Sequence, residues 1–264
     1  MFKFSENSTY NMPAHFGGTE GPPRPAPYHD VTSISIFYET DGEALAQYIP
    51  EAFQLTEPVI SIQCAFSRGI DWMNGGSYSL ISIQVPVAYV HGRERMDGYY
   101  ALVIWENKAT PIISGREQSG MPKTFANIED YHQVGDRVFT NASYEGRTFL
   151  EIDFQKTAKM NAEELSLFNQ KYGKVNWFGW RYIPNIGRSG AALSHATVFP
   201  QEAPCTAGWR GNGTVRWQAL TPEQHPTQAH IIRALSQLPI RAYRDCAMTL
   251  GSLILRNDTA RQLP

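Results

Sequence analysis

The sequence predicts an α+β chain that is mostly antiparallel β-structure, in sheets that curl or close into a barrel. Three observations carry this. Strand-like runs recur at short spacing through most of the 264 residues, only a few short stretches have helical periodicity, and clusters of turn residues separate them. There is no internal repeat and no low-complexity tract.

Residues 1–30 carry Gly17, Gly18, Gly21, Pro22, Pro23, Pro25 and Pro27, which reads as an extended N-terminal arm lying over the body or a neighbouring subunit. Residues 31–264 are expected to form one domain. Ser33 to Tyr38 alternates as a half-buried strand does. Thr40-Asp41-Gly42-Glu43 is a capping-box pattern for a short helix with Ala44, Leu45, Tyr48 and Ile49 on one side and Pro50 as its stop. Strands are then expected at Val59 to Phe66, Tyr78 to Tyr89, Tyr99 to Glu106, Arg137 to Ser143, Thr148 to Phe154, Trp177 to Ile183, Ala191 to Phe199 and Thr214 to Leu220. Asn161 caps a second helix, with Leu165 and Phe168 together and Gly173 as its end. A third runs from about Thr227 to Leu238, with Ile231, Ile232, Leu235 and Leu238 on one face and Pro239 beyond it. That makes about three short helices. The pairs Gly75-Gly76 and the run Gly208 to Gly213 lack the strand–turn–helix context of a phosphate loop and read as hairpin turns.

A chain of this length buries an ample core without a metal or a disulfide. Cys64, Cys205 and Cys246 are odd in number and far apart, so they read as reduced, buried thiols. His225 and His230 are five apart with Pro226 between them, which gives no shared helix face, and no metal site is expected. Nor is a cofactor. The N-terminus lacks a signal peptide's apolar core, and no run approaches the ~20 apolar residues of a membrane span, so a soluble, cytoplasmic protein is expected. A net charge of −2, with the 23 Lys and Arg scattered, argues against nucleic acid and membrane partners. The 12% aromatic content and the Pro-rich arm suit a homo-oligomer. No G-x-S-x-G elbow is present, and the adjacent Ser194 and His195 would point to opposite faces of a strand.

The most informative segment is Gly115-Arg116-Glu117-Gln118-Ser119-Gly120-Met121-Pro122-Lys123. It follows the apolar run Ala101 to Trp105 and sets one lysine behind what reads as a rigid turn. Gly120 relaxes the backbone, and Pro122 fixes φ and biases Met121 away from helix. Lys123 stands between Pro122 and the apolar Phe125-Ala126, where its ammonium would be only partly hydrated. Arg116, Glu117 and Gln118 can bind a carboxylate, move a proton or donate a hydrogen bond. In strand geometry Arg116 and Glu117 would face opposite ways. Tyr78 and Trp105 are candidate pocket walls.

These residues resemble the acetoacetate decarboxylase-like superfamily over most of the chain. The specific element is G-R-E-x-x-x-x-P-K, met by Gly115, Arg116, Glu117, Pro122 and Lys123. Supporting landmarks are Ile36 to Asp41, Ile49-Pro50-Glu51, Glu57-Pro58, Val85-Pro86-Val87 and Leu238-Pro239-Ile240. The resemblance implies a cone-like antiparallel β-barrel in an oligomer, with Lys123 forming a Schiff base with an oxo acid. Imine formation needs an unprotonated amine, whereas a free lysine of pKa about 10.4 is charged at neutral pH. Activation must therefore come from desolvation or a nearby cation, and acetoacetate decarboxylase is itself a familiar case of a lysine so activated.

The sequence departs from the decarboxylase pattern at Thr124, where a second lysine is expected, and at Val31 and Leu80, which stand where an arginine and a glutamate would. By resemblance this favours the superfamily's aldolase-dehydratases, which condense pyruvate with an aldehyde and dehydrate the product. In that reading Lys123 is the nucleophile, Arg116 pairs with the substrate carboxylate, Glu117 shuttles protons, and Gln118 orients a carbonyl or water. The partners are a small oxo acid and an aldehyde. Two alternatives stand beside it: decarboxylation of acetoacetate or another 3-oxo acid, and a non-catalytic barrel that binds a small acid with Lys123 as counter-ion.

Overall fold

Alternation of apolar and polar side chains sets the architecture of the computed structural model, which describes residues 2–264. The long elements, in chain order, are β1 (Ala26–Glu39), α1 (Gly42–Ala46), β2 (Val59–Ile70), β3 (Gly76–His91), β4 (Glu94–Glu106), α2 (Ala109–Ser119), β5 (Lys123–Phe125), β6 (Arg137–Tyr144), β7 (Arg147–Lys159), α3 (Ala162–Tyr172), β8 (Lys174–Pro184), β9 (Ala191–Glu202), β10 (Cys205–Trp217), α4 (Ala229–Gln237) and β11 (Cys246–Leu255). Before them, Ser8–Thr9 and Thr19–Glu20 pair with each other as a separate small ribbon.

β1, β2, β3 and β4 pair antiparallel in sequence order. A short parallel contact, Tyr99 with Trp177 and Tyr100 with Phe178, passes from β4 to β8. From there β9 and β11 lead antiparallel back to β1, so the pairings form a closed circuit. β10, β7 and β6 extend from β11 as a second run.

One face of the circuit is aliphatic. Ile34 and Ile36 of β1, Ile60 and Ile62 of β2, and Ile81 and Ile83 of β3 enter one core with Phe149 and Ile152 of β7 and Ile232 and Leu235 of α4. Fully burying each isoleucine is worth about 1.5–3 kcal/mol. A one-residue slip would send the whole set to the opposite face, so this core fixes the register. The alternate residues of these strands, such as Val31, Ser33, Ser61 and Leu80, line an internal cavity together with Ile104 of β4.

The helices show how local chemistry acts. Asp41 caps α1 by accepting from the N–H groups of Glu43 and Ala44. Asn161 and Glu164 form the full capping box of α3. α1 is shorter than expected, and α4 begins at Ala229. Four helices form rather than three among the described residues, because α2 occupies the segment whose sequence reads as a turn. The proline that disguises it, Pro111, lies in the first turn of α2, where a missing N–H costs no helical hydrogen bond.

Two further expectations are corrected. The run Gly208 to Gly213 is not a hairpin turn but the middle of β10. Its glycines are contact points: a Cβ on Gly213 would lie 2.6 Å from Ile36, and one on Gly211 would lie 2.2 Å from the Gln155 carbonyl oxygen. β11, which has no counterpart among the expected strands, closes the circuit. No helix among the described residues is long and apolar enough to cross a membrane.

Candidate active site

Lys123 is fixed by what precedes it. α2 ends at Gly120, whose φ of +68° is the left-handed conformation that glycine adopts without strain. A side chain there would also strike Arg181, since a Cβ would lie 2.9 Å from the Arg181 Cα. After this reversal, Met121 and Pro122 lead into β5, which pairs parallel with β4 so that Lys123 lies beside Ile104 and Phe125 beside Glu106. The lysine side chain runs along α2 in the space left by Gly115: a Cβ on Gly115 would lie 2.5 Å from Lys123 Cε. Nζ donates to the Pro111 carbonyl oxygen at 3.3 Å.

The partner of Lys123 is Glu106, whose Oε1 is 2.8 Å from Nζ. The Lys123 side chain is 11% exposed and that of Glu106 is 0% exposed, so the pair sits inside the protein. Neither Glu106 oxygen accepts a well-aligned hydrogen bond, which leaves the ion-pair contact as its compensation among the described residues. Burial pushes the Glu106 carboxyl above its ordinary range, and the Lys123 charge pulls it back in part. In the sequence Glu106 stands only as the end of a strand. Its signal there is a carboxylate closing the apolar run Ala101 to Trp105 on the same face as Ile104.

The pair opens onto a partly enclosed cavity of about 130 Å³. Val31, Leu80, Leu253 and Leu255 line it as apolar walls, and Tyr78 adds a phenol. Trp72 Nε1 donates to the Tyr28 hydroxyl at 3.1 Å, and that hydroxyl is 3.1 Å from the hydroxyl of Tyr78. Burial pushes Tyr28 up to about 12 and Tyr78 well above the usual phenol range, with Tyr28 and Glu106 adding to the latter. Both phenols are therefore neutral donors at physiological pH. Among the described residues, Lys123 and Glu106 are the charged groups lining this cavity. A wider open groove of about 540 Å³ lies elsewhere, lined by Lys171, Lys174, Glu202 and Arg256 among others. Arg256 there is already paired with Glu202 and Asp258, and the groove contains neither Lys123 nor Glu106, so the smaller cavity is the candidate site.

The other candidates from sequence take different positions. Gly115 occupies the side of α2 that meets Lys123; Arg116 and Glu117, about 100° and 200° farther round the helix, project elsewhere, and Gln118, although three residues on, turns to the N-terminal arm. None of the three lines the cavity. Arg116 is exposed and donates from Nη1 to the Lys123 carbonyl oxygen at 2.9 Å. Gln118 meets the Asn11 amide of the N-terminal arm at 3.1 Å, and Glu117 is half-buried on the same helix. Trp105 turns into the core and donates to Gln228 Oε1 at 2.7 Å, whereas Tyr78 lines the cavity. Thr124 is not among the lining residues; Val31 and Leu80 are. Of the three free thiols, Cys64 and Cys246 are buried, but Cys205 is only half-buried and borders the cavity.

The sequence matches the family described as Acetoacetate decarboxylase (ADC) over residues 11–252. The chain belongs to the acetoacetate decarboxylase family. Family members named acetoacetate decarboxylase from Burkholderia cenocepacia and Burkholderia ambifaria are each 33% identical to it over 229 residues, covering 83% of this chain and 81% of theirs. The crystal structure of acetoacetate decarboxylase from Legionella pneumophila is similar with a TM-score of 0.74 at 19% identity, covering 92% of this chain and 88% of that one. The enduracididine biosynthesis enzyme MppR, complexed with pyruvate, is similar with a TM-score of 0.71 at 15% identity, covering 98% and 99%. At such identities the two structures speak for the acetoacetate decarboxylase fold. The family itself is one of enzymes.

Proposed function

We propose that the chain is a Schiff-base lyase in which Lys123 attacks the ketone of a small oxo acid, and that it decarboxylates a 3-oxo acid. One observation carries this reading: Lys123 is paired with a fully enclosed Glu106 in a cavity lined by no second cation. Glu106, pushed upward by burial, is suited to accept the ammonium proton within the cavity, leaving a neutral amine and a neutral acid. The amine adds to the ketone carbon. Glu106 returns its proton to the departing hydroxyl, which leaves as water, and a protonated imine remains. Tyr78 is the neighbouring donor for the substrate oxygen. The bond to the carboxylate carbon then breaks, its electron pair passes into the imine, and carbon dioxide leaves an enamine. A proton drawn from solvent through Glu106 completes the methyl group of the ketone, and water releases it from Lys123.

The substrate carboxylate favours decarboxylation over the alternatives. Against Val31, Leu80 and Leu253 it has no cationic partner, and a buried unpaired carboxylate is costly until it departs as neutral carbon dioxide. Condensation of pyruvate with an aldehyde keeps that charge through to the product and calls for a standing cation. The condensation reading draws its support from the replaced positions Thr124, Val31 and Leu80, and it shares the Lys123 nucleophile. In either case Arg116 acts on the backbone of Lys123, and Glu106 takes the proton-transfer role that the motif alone would give to Glu117. The same reading takes the closed circuit of strands as the cone-like barrel that the family resemblance implies.

Borohydride reduction in the presence of acetoacetate or pyruvate, read by intact mass and peptide mapping, is expected to leave an adduct on Lys123. Carbon dioxide release from acetoacetate is then compared with enone absorbance from pyruvate plus an aldehyde. An unmodified lysine with both acids would make the protein a binder of small acids rather than an enzyme. Enone formation without carbon dioxide release would move the assignment to condensation.

A further inference from the structure

One wall of the cavity is backed by a chain of hydrogen bonds that starts at the surface. Trp72 is exposed, in the short turn between β2 and β3. His29 of β1 pins that turn through Asp71, with Nε2 and Oδ1 2.7 Å apart. Trp72 Nε1 donates to the Tyr28 hydroxyl, which in turn lies 3.1 Å from the hydroxyl of Tyr78. Tyr28 and Tyr78 are both buried. Of the three, only Tyr78 lines the cavity.

These groups admit one fully satisfied arrangement. An indole nitrogen donates and never accepts, so the Tyr28 oxygen is the acceptor of the first bond. The Tyr28 proton then has a single acceptor among the described residues, the Tyr78 oxygen. If Tyr78 donated to Tyr28 instead, the Tyr28 proton would be left without an acceptor in a residue only 1% exposed, which is the costly case. The bonds therefore all run inward, from Trp72 to Tyr28 to Tyr78. The Tyr78 proton ends the chain. No protein group among the described residues accepts it, and the space that Tyr78 borders is the cavity. Tyr78 precedes Leu80 by two residues on the same face of β3, and Leu80 pairs with Glu106, so this donor stands at the Glu106 end of the site.

We infer that Trp72 and Tyr28 are positioning residues that fix the polarity of this chain, so that Tyr78 meets the ketone oxygen of the substrate only as a hydrogen-bond donor. As Lys123 adds to the ketone carbon, negative charge gathers on that oxygen, and a donor already set in place stabilises it without reorganising. Tyr78 keeps its proton throughout. Glu106 moves the proton that leaves with water. Without the indole N–H, the Tyr28 oxygen is free to accept, and solvent at the exposed turn can take the Tyr28 proton. Tyr78 can then turn its proton back toward Tyr28 and present a lone pair to the substrate. The inference rests on the reading that Lys123 forms the imine, and it adds how the oxygen of that ketone is held.

The test measures the rate of imine formation on Lys123, by borohydride quench and intact mass, with acetoacetate and with neutral acetone. Tyr78→Phe is expected to lose about 100-fold with both ketones, the effect of removing one donor to a developing oxyanion. Trp72→Phe keeps a ring at an exposed site and removes only the N–H, and it is expected to lose about tenfold with both. In the Tyr28→Phe and Tyr78→Phe backgrounds the same change is expected to cost less than about twofold, because the chain it orients is already cut. A merely structural effect of Trp72 would persist in both. An undiminished rate in Trp72→Phe, a loss of equal size in all backgrounds, or a loss confined to acetoacetate would overturn this inference alone. No adduct with any carbonyl compound on the unsubstituted protein would overturn the imine reading and this inference with it.

Discussion

The Cδ atom of Lys123 lies 2.4 Å from the point that a Cβ on Gly115 would occupy, so nucleophile and helix share one space. Gly115→Ala tests whether that shared space matters. Alanine is preferred to glycine in a helix interior by about 0.8–1 kcal/mol, but its methyl group would push Lys123 away from the buried Glu106, whose loss of a partner costs more than that, so the thermal midpoint should fall. The displaced amine should lose at least ~100-fold in kcat, the cost typical of an ångström of misplacement. A thermal melt and borohydride trapping on one preparation check both halves.

Removing the lysine exposes the cost of its partner. Lys123→Met leaves Glu106 buried and unpaired, which is expected to destabilise the protein by about 3–5 kcal/mol at neutral pH. Burial raises the folded-state carboxyl above its ordinary 4.5, so the folded protein binds that proton more tightly than the unfolded chain. The variant's stability is therefore fully present below about pH 4.5 and is lost as pH rises through the raised value. The double variant Lys123→Met/Glu106→Leu should recover most of the loss. Urea unfolding of both at acid and neutral pH is the measurement.

Arg116 offers a sharper discrimination than simple loss of activity. Its guanidinium holds the Lys123 carbonyl oxygen, so Arg116→Ala should slow imine formation with neutral acetone and with acetoacetate by a similar factor, about tenfold. A role in carboxylate binding would instead raise KM for acetoacetate and leave trapping with acetone unchanged.

His225 links stability to mild acid. It is fully enclosed, stacks on Tyr144 with ring centroids 3.8 Å apart, and has no hydrogen-bond partner at either ring nitrogen among the described residues. Burial lowers its pKa below the ordinary 6.5, partly offset by Glu145. The unfolded chain thus takes up a proton first as pH falls, and stability declines below about pH 6.5 by at most ~1.4 kcal/mol per pH unit. His225→Phe should flatten that part of the profile, measured as the chemical midpoint between pH 5 and pH 7.5. An unchanged slope would place the acid sensitivity elsewhere.

What the sequence disclosed follows from how local each cause is. The aliphatic alternation of Ser33 to Tyr38 and the cap at Asn161 depend on neighbours within a few positions, and both elements formed as read. α2 was hidden because its two weak residues serve other ends: Pro111 sits where a helix tolerates it, and Gly115 makes room for Lys123. β11 was hidden by Gly251, which is small because a Cβ there would lie 2.2 Å from the Pro204 carbonyl oxygen. The lysine was legible as a motif. Its partner was not, because Glu106 reaches Lys123 only through the parallel pairing of β5 onto β4 across an intervening helix. The neighbours Arg116, Glu117 and Gln118 look like site residues only while that segment is taken for a turn.

The hairpin of β8 and β9 is paired along its length, yet it joins the rest of the circuit at two places by only two residue pairs each: β8 to β4, and β9 to β11. Every other junction between consecutive strands of the circuit is far longer. The hairpin therefore behaves as a stave between two weak seams. The least costly way for the wall to part is along those lines, and deuterium should enter the amides of Tyr99, Tyr100, Gln201 and Glu202 well before those of β2 and β3. The partly enclosed cavity can then exchange its contents with water more freely while the aliphatic face of the circuit stays closed.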